Sequence, residues 1–208
     1  MHSSHKGWFG RMLRGAAVLV MVSALAGCGA GGAMNHNRMS GMATANPNAP
    51  FDQQFLDMMV PHHMMAVEMA KTAQRRAEHP ELKTLAGSIL AAQDTEIGQM
   101  KSYRKAWYGS DATPPMEQMP MLAGMPESDM AAMMHMMDDM QKLQTAMPFD
   151  RAFLAAMIPH HQSAVDAAKL AQQKATKPEI KTLAGAIIAD QQREIEQMNG
   201  WMQAWYSK

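Results

Sequence analysis

The chain has 208 residues, 47% of them hydrophobic and 18% charged, which excludes a disordered polypeptide and fits one compact domain with a tail. Its 19 basic and 19 acidic side chains cancel; without residues 1–27, which hold Lys6, Arg11 and Arg14 and no acid, 16 face 19, a net charge of −3. No surface basic enough for nucleic acid is therefore expected.

Residues 1–27 read as an export signal, with early basic residues followed by an apolar run, 16–26, too short to span a bilayer as a mature helix. Leu25-Ala26-Gly27-Cys28 closes the run and resembles the bacterial lipoprotein signal, in which the Cys becomes the lipidated first residue. Cys28, the only cysteine, is thus the expected membrane anchor on the periplasmic side of the cell envelope. Gly29, where Asp is associated with inner-membrane retention, points to the outer membrane. Residues 28–50, rich in Gly, Ala, Asn and Met, read as a flexible tether. In an oxidising compartment thiols tend to pair, so Met is the available soft ligand.

From residue 51 the chain says one thing twice. Phe51-Asp52-x-x-Phe55-Leu56-x-x-Met59-Val60-Pro61-His62-His63 returns as Phe149-Asp150-x-x-Phe153-Leu154-x-x-Met157-Ile158-Pro159-His160-His161, and over 51–108 against 149–206 32 of 58 positions are identical. The first copy predicts a helix from an Asp52 N-cap to about Glu78, a break at His79-Pro80, and a helix from Glu81 to Tyr108. The second copy, 149–208, predicts Asp150 to Thr176, a break at Lys177-Pro178, and Glu179 to Tyr206. Between them, 109–148 is a Pro- and Met-rich connection with a helix expected from Ser128 to Ala146. Two antiparallel helix pairs with apolar faces make an all-α four-helix bundle, with the connecting helix as an addition. The aromatic ends, Trp107-Tyr108 and Trp201 to Tyr206, read as caps on the bundle.

At 100° per residue, Phe55, Leu56, Met59, His63, Ala66, Val67, Ala70 and Ala73 share one stripe, with His62 at its border and Pro61 on the solvent side. Gln93, Glu96 and Met100 lie on the partner stripe, and Gln191, Glu194 and Met198 repeat them. Inward His, Gln and Glu must bond to one another, to water or to a metal. A di-iron centre of the ferritin type needs Glu-x-x-His, which is missing, and adjacent histidines diverge, unlike those of a zinc protease.

Methionine points further. Outside residues 1–27 there are 23 Met, and 20 of them lie between Met34 and Met147. Met58, Met64, Met65 and Met69 correspond to Ala156, Gln162, Ser163 and Ala167 in the second copy, so the fold itself does not require sulfur there. Met130, Met133, Met134 and Met137 follow helical spacing, as any apolar stripe does, and His135, Met136 and Met140 widen the group. Met specifies packing poorly, and its choice over Leu suits thioether binding of Cu(I), with Ag(I) as a mimic. The tether repeats the composition in Met34, His36, Met39 and Met42.

At the paired Pro-His-His stretches and the downstream Gln-x-x-Glu-Ile-x-x-Met stretches, the chain resembles the bacterial family catalogued as domain of unknown function 305. The resemblance implies an exported, ferritin-like helical bundle, and the Met-rich members include copper-binding proteins of the CopM type. It carries over Met59, Pro61, His62 and His63 with Met157, Pro159, His160 and His161, and Glu96 and Met100 with Glu194 and Met198. The expected function is extracytoplasmic binding of Cu(I) and Ag(I) for buffering or resistance, by clusters of two to four Met or His donors, with a copper-transfer protein as a partner. The expected ligands are Met59, His62, His63, Met64, Met65, Met69, Glu96, Met100, Met130, Met133, Met134, His135, Met136, Met137, Met140, Met157, His160, His161, Glu194 and Met198, most of the metal falling to the first copy and the connection. Two alternatives remain open: a redox enzyme oxidising Cu(I) or Fe(II) at the inward His and Glu, and a structural adaptor with a Met-rich partner surface.

Overall fold

The computed structural model describes residues 48–207, the side chains of residues 127, 130, 131 and 134 excepted. Cys28, the signal and the tether residues Met34, His36, Met39 and Met42 lie outside them. The described chain forms α1 (Phe51–Arg76), α2 (Pro80–Tyr108), a 3-10 turn (Met116–Gln118), α3 (Glu127–Lys142), α4 (Phe149–Lys174) and α5 (Pro178–Tyr206). It is an all-α bundle, with no strand among the described residues.

Each repeat is a helix hairpin closed by a three-residue turn. Pro80 and Pro178 open α2 and α5 at positions where no backbone N–H is needed. They also hold His79 and Lys177 extended, so α1 and α4 stop at Arg76 and Lys174, short of the predicted Glu78 and Thr176. Gly109, at φ 80°, ends α2 in the left-handed conformation that glycine adopts without strain. The connecting helix begins one residue before Ser128 and ends at Lys142, four residues before the predicted Ala146.

α1 packs on α2, α4 on α5, and α1 on α4, while α3 lies across α4 and α1. Two further expectations are corrected. Asp52 is not the N-cap of α1; that position is Pro50, without a side-chain cap. The Asp52 carboxylate instead accepts hydrogen bonds from Thr176 N–H, Thr176 Oγ1–H and Lys177 N–H at the start of α5. Asp150 does the same for Glu78, His79 and the start of α2. Each repeat thus caps the other's hairpin. Pro61, placed on the solvent side by helical geometry alone, is buried, α1 being packed on by α2, α4, the 3-10 turn and α3, whereas Pro159 is exposed.

The apolar interior falls into two clusters. One joins Phe55, Met58, Met59 and Met65 of α1 to Met100, Ile180, Leu183 and the connection; the other joins Ala66, Met69 and Leu82 to Phe149, Phe153, Met157 and Met198. The aromatic ends pack as the sequence suggested. Lys177 Nζ lies 5.1 Å from the Trp107 ring centre, and His79 stacks on Trp205 at 3.7 Å.

Candidate metal centre

Between the two apolar clusters, near the middle of all four long helices, lies a polar layer. Pro-His-His occurs midway along both α1 and α4, and the packing of these helices brings the two motifs together. His62, His63, His160 and His161 are each no more than 1% exposed. His62, expected at the stripe border, is fully inside because α4 covers it, its ring 3.9 Å from that of His160. Gln93 and Gln191 are buried in the same layer.

The outer pair of imidazoles is matched across the repeats. His63 Nε2 meets Glu96 Oε2 at 2.8 Å, and His161 Nε2 meets Glu194 Oε2 at 2.7 Å. Each contact joins the two helices of one hairpin. Glu96 and Glu194 are only partly buried, so the expectation of fully inward carboxylates is softened: each reaches in from the hairpin edge to hold a histidine.

The inner pair is not matched. Ser163 Oγ donates to the His160 carbonyl oxygen at 2.8 Å and so accepts at its lone pair from His62 Nε2–H, 2.9 Å away. This chain of bonds sets His62 as the Nε2–H tautomer. Among the described residues, Nδ1 of His62, His63 and His161 and both amide atoms of Gln93 and Gln191 have no hydrogen-bond partner, while the His160 ring has a hydrogen bond with the His62 backbone. Burial lowers the pKa of both His62 and His160 well below the usual histidine value, and the neighbouring imidazoles lower it further. Both are neutral near pH 7, with lone pairs free for a ligand. Each such buried group left unsatisfied costs on the order of 1–3 kcal/mol, which a bound ion would offset.

Sulfur surrounds one side of this layer. Met58, Met59, Met65, Met100, Met119, Met125, Met133 and Met136 are buried in a single cluster, with Met64 and Met137 partly buried against it. Met69, Met157 and Met198 belong to the other cluster, with Met140 against it, so the structure does not gather all the expected methionines. His135 is exposed on α3, and the side chains of Met130 and Met134 lie outside those described. Met119 and Met125 join the sulfur cluster without having stood out in the sequence: they sit outside the regular helices, where no periodicity marks a buried position. Ser163 also went unmarked, since it appears only as the replacement for Met65. Among the described residues, no three His, Cys, Asp or Glu side chains converge into a site of their own. Buried thioethers and imidazoles together are a donor set that fits Cu(I) and Ag(I).

A family model described as domain of unknown function (DUF305) matches residues 52–202. The bundle is similar to CopM in its Cu(II)-bound form, at 42% identity and a TM-score of 0.64, over 74% of this chain and 97% of that one. It is likewise similar to CopM in the Cu(I)-bound form, at 40% identity and a TM-score of 0.60, over 75% of this chain and 98% of the other. A putative secreted DUF305 protein from Streptomyces coelicolor shares 28% identity at a TM-score of 0.61, over 74% of this chain and 93% of its own. The uncharacterized protein L153 of Acanthamoeba polyphaga mimivirus is 43% identical over 51 residues, 24% of this chain; the match spans about a third (34%) of that relative's length.

Proposed function

The chain belongs to the DUF305 family, and on that premise we propose that it binds copper as Cu(I), and Ag(I) by the same chemistry, at thioether and imidazole donors, as a buffering or resistance protein of the cell envelope. The observation that carries this reading is the cluster of eight buried methionines, together with buried imidazoles that keep a ring nitrogen without a partner. A packing role alone would be served by Leu, as Met58 and Met69 are served by Ala in the second copy. Solved relatives with 40% and 42% identity hold Cu(I) and Cu(II). The lipid on Cys28, the outer-membrane location and delivery to a transfer protein belong to the same proposal.

Binding is favoured over turnover because both carboxylates of the polar layer are engaged with histidines. A redox enzyme at that layer would lose its rate in Glu96→Gln plus Glu194→Gln, whereas a binding protein would keep its sulfur sites in that variant. The deciding experiment is an anaerobic Cu(I) titration in competition with a chelator of known affinity. Tight uptake of more than one ion, lost when Met59, Met119, Met125 and Met133 become Leu, is the expected result. Failure of the wild type to compete with the chelator would remove the reading and favour a Met-rich adaptor surface.

A further inference from the structure

Met147 stands apart from the other described methionines. Its side chain is 75% exposed and belongs to neither apolar cluster, whereas the eight methionines of the sulfur cluster are no more than 7% exposed. The corresponding residue in the first copy is Ala49, followed by Pro50 as Met147 is by Pro148, so the start of the helix requires no thioether there. A single exposed apolar side chain is ordinary by itself. What distinguishes Met147 is the cation beside it.

Arg76, at the end of α1, reaches across to the end of the connection. Its Nη1 donates to the Leu143 carbonyl oxygen, and its Nη2 donates to the Ala146 carbonyl oxygen at 2.8 Å and to Met147 Sδ at 3.8 Å. The guanidinium is held from another side by the Phe149 ring, whose centre lies 4.8 Å away. A positioned N–H donor thus faces a sulfur that solvent also reaches. Thioether sulfur is a weak acceptor, so this contact holds little as it stands. One oxygen on the sulfur changes that, because a sulfoxide is polar and a guanidinium bond to its oxygen is charge-assisted. The same oxygen on a core methionine would bury a polar group among apolar neighbours, at a cost in stability.

We propose that Met147 is a reversible oxidation site, at which a peroxide converts the thioether to the sulfoxide and Arg76 then holds the new oxygen, fastening the end of the connection. The sulfur lone pair attacks one peroxide oxygen, the S–O bond forms as the O–O bond breaks, sulfur gives up two electrons, and the other oxygen leaves as water. Return to the thioether takes two electrons from a dithiol, which becomes a disulfide while the oxygen leaves as water. The inference does not rest on the copper reading, since Met147 lies outside the sulfur cluster.

The test exposes the purified, metal-free full chain to limiting hydrogen peroxide and follows each methionine by peptide mass spectrometry. Met147 should gain oxygen first among the methionines of residues 51–207, roughly tenfold or more ahead of buried Met59 and Met133. Amide exchange across residues 143–148 should then slow by roughly two- to tenfold, the scale of one net hydrogen bond. Identically treated Met147→Leu, altered only at an exposed position, should show no such slowing. Met147→Gln, which carries a neutral amide oxygen on a side chain of similar length, should reproduce the slowing without oxidant. Oxidation of Met147 no faster than that of Met59 would overturn the proposal. So would unchanged or faster exchange across residues 143–148 in the oxidised wild type, even with Met147 oxidised first.

Discussion

The imidazole of His62 lies with its ring centre 3.9 Å from that of His160, tilted by 43°, at the contact between α1 and α4. Both rings are held neutral by burial and by their neighbours, their pKa values lying well below 6.5. The unfolded chain therefore binds protons that the folded chain refuses once pH falls below about 6.5. Stability is full above that pH and declines as pH drops toward the folded values, by about 1.4 kcal/mol per pH unit for each histidine. Urea midpoints of chelator-treated protein at pH 7.5, 6.5 and 5.5 should show this fall. A His62→Asn, His160→Asn double variant should flatten it, and a wild-type profile level down to pH 5 would contradict the assignment.

The reciprocal caps make a second prediction. Burial by itself would raise the Asp52 pKa, but bonds from Thr176 and Lys177 outweigh it, so the value is lowered. A lowered carboxylate contributes stability above its unfolded pKa and loses it as pH falls through the folded value. Asp52→Asn should therefore cost about 1–3 kcal/mol at neutral pH, with a cost that shrinks below pH 4. Chemical denaturation of the variant at pH 7 and pH 3.5 would show the difference.

Replacing sulfur should separate stability from binding. Met and Leu are close in volume, so Met59→Leu or Met133→Leu should each change stability by less than about 1.5 kcal/mol. Silver at a hundredfold excess over its dissociation constant should stabilise wild type by about 2.7 kcal/mol, and the combined Leu variant by much less. Thermal unfolding with and without Ag(I) reads both quantities. Equal silver stabilisation in wild type and variant would place the ion elsewhere.

Arg76 ties down the end of the connection. Its guanidinium donates to the carbonyls of Leu143 and Ala146 and lies 4.8 Å from the Phe149 ring centre. Arg76→Ala removes charge-assisted bonds and a cation–π contact together, so amide exchange across residues 143–148 should rise while α1 and α4 keep their protection. Uniform loss of protection would mean that the residue supports the whole bundle instead.

The all-α class, the repeat and the four long helices were legible in the residues, because helical periodicity and prolines at helix starts are local properties. The Pro-His-His motifs and their downstream Glu partners could be paired by counting alone, since equal spacing in both copies gives the same contacts, 2.8 Å and 2.7 Å. Tertiary structure decided what differs between equals. Asp52 looked like a cap for its own helix and instead caps α5, because the packing of α1 against α4 brings its carboxylate to free N–H groups 124 and 125 residues away. Pro61 and Pro159, identical in helical phase, differ in burial, which nothing in their position along the helix could tell apart. Which imidazole meets Ser163 depends on how α1 packs on α4, and which methionines meet depends on where the connection lies, non-local packing outcomes that no periodic pattern encodes.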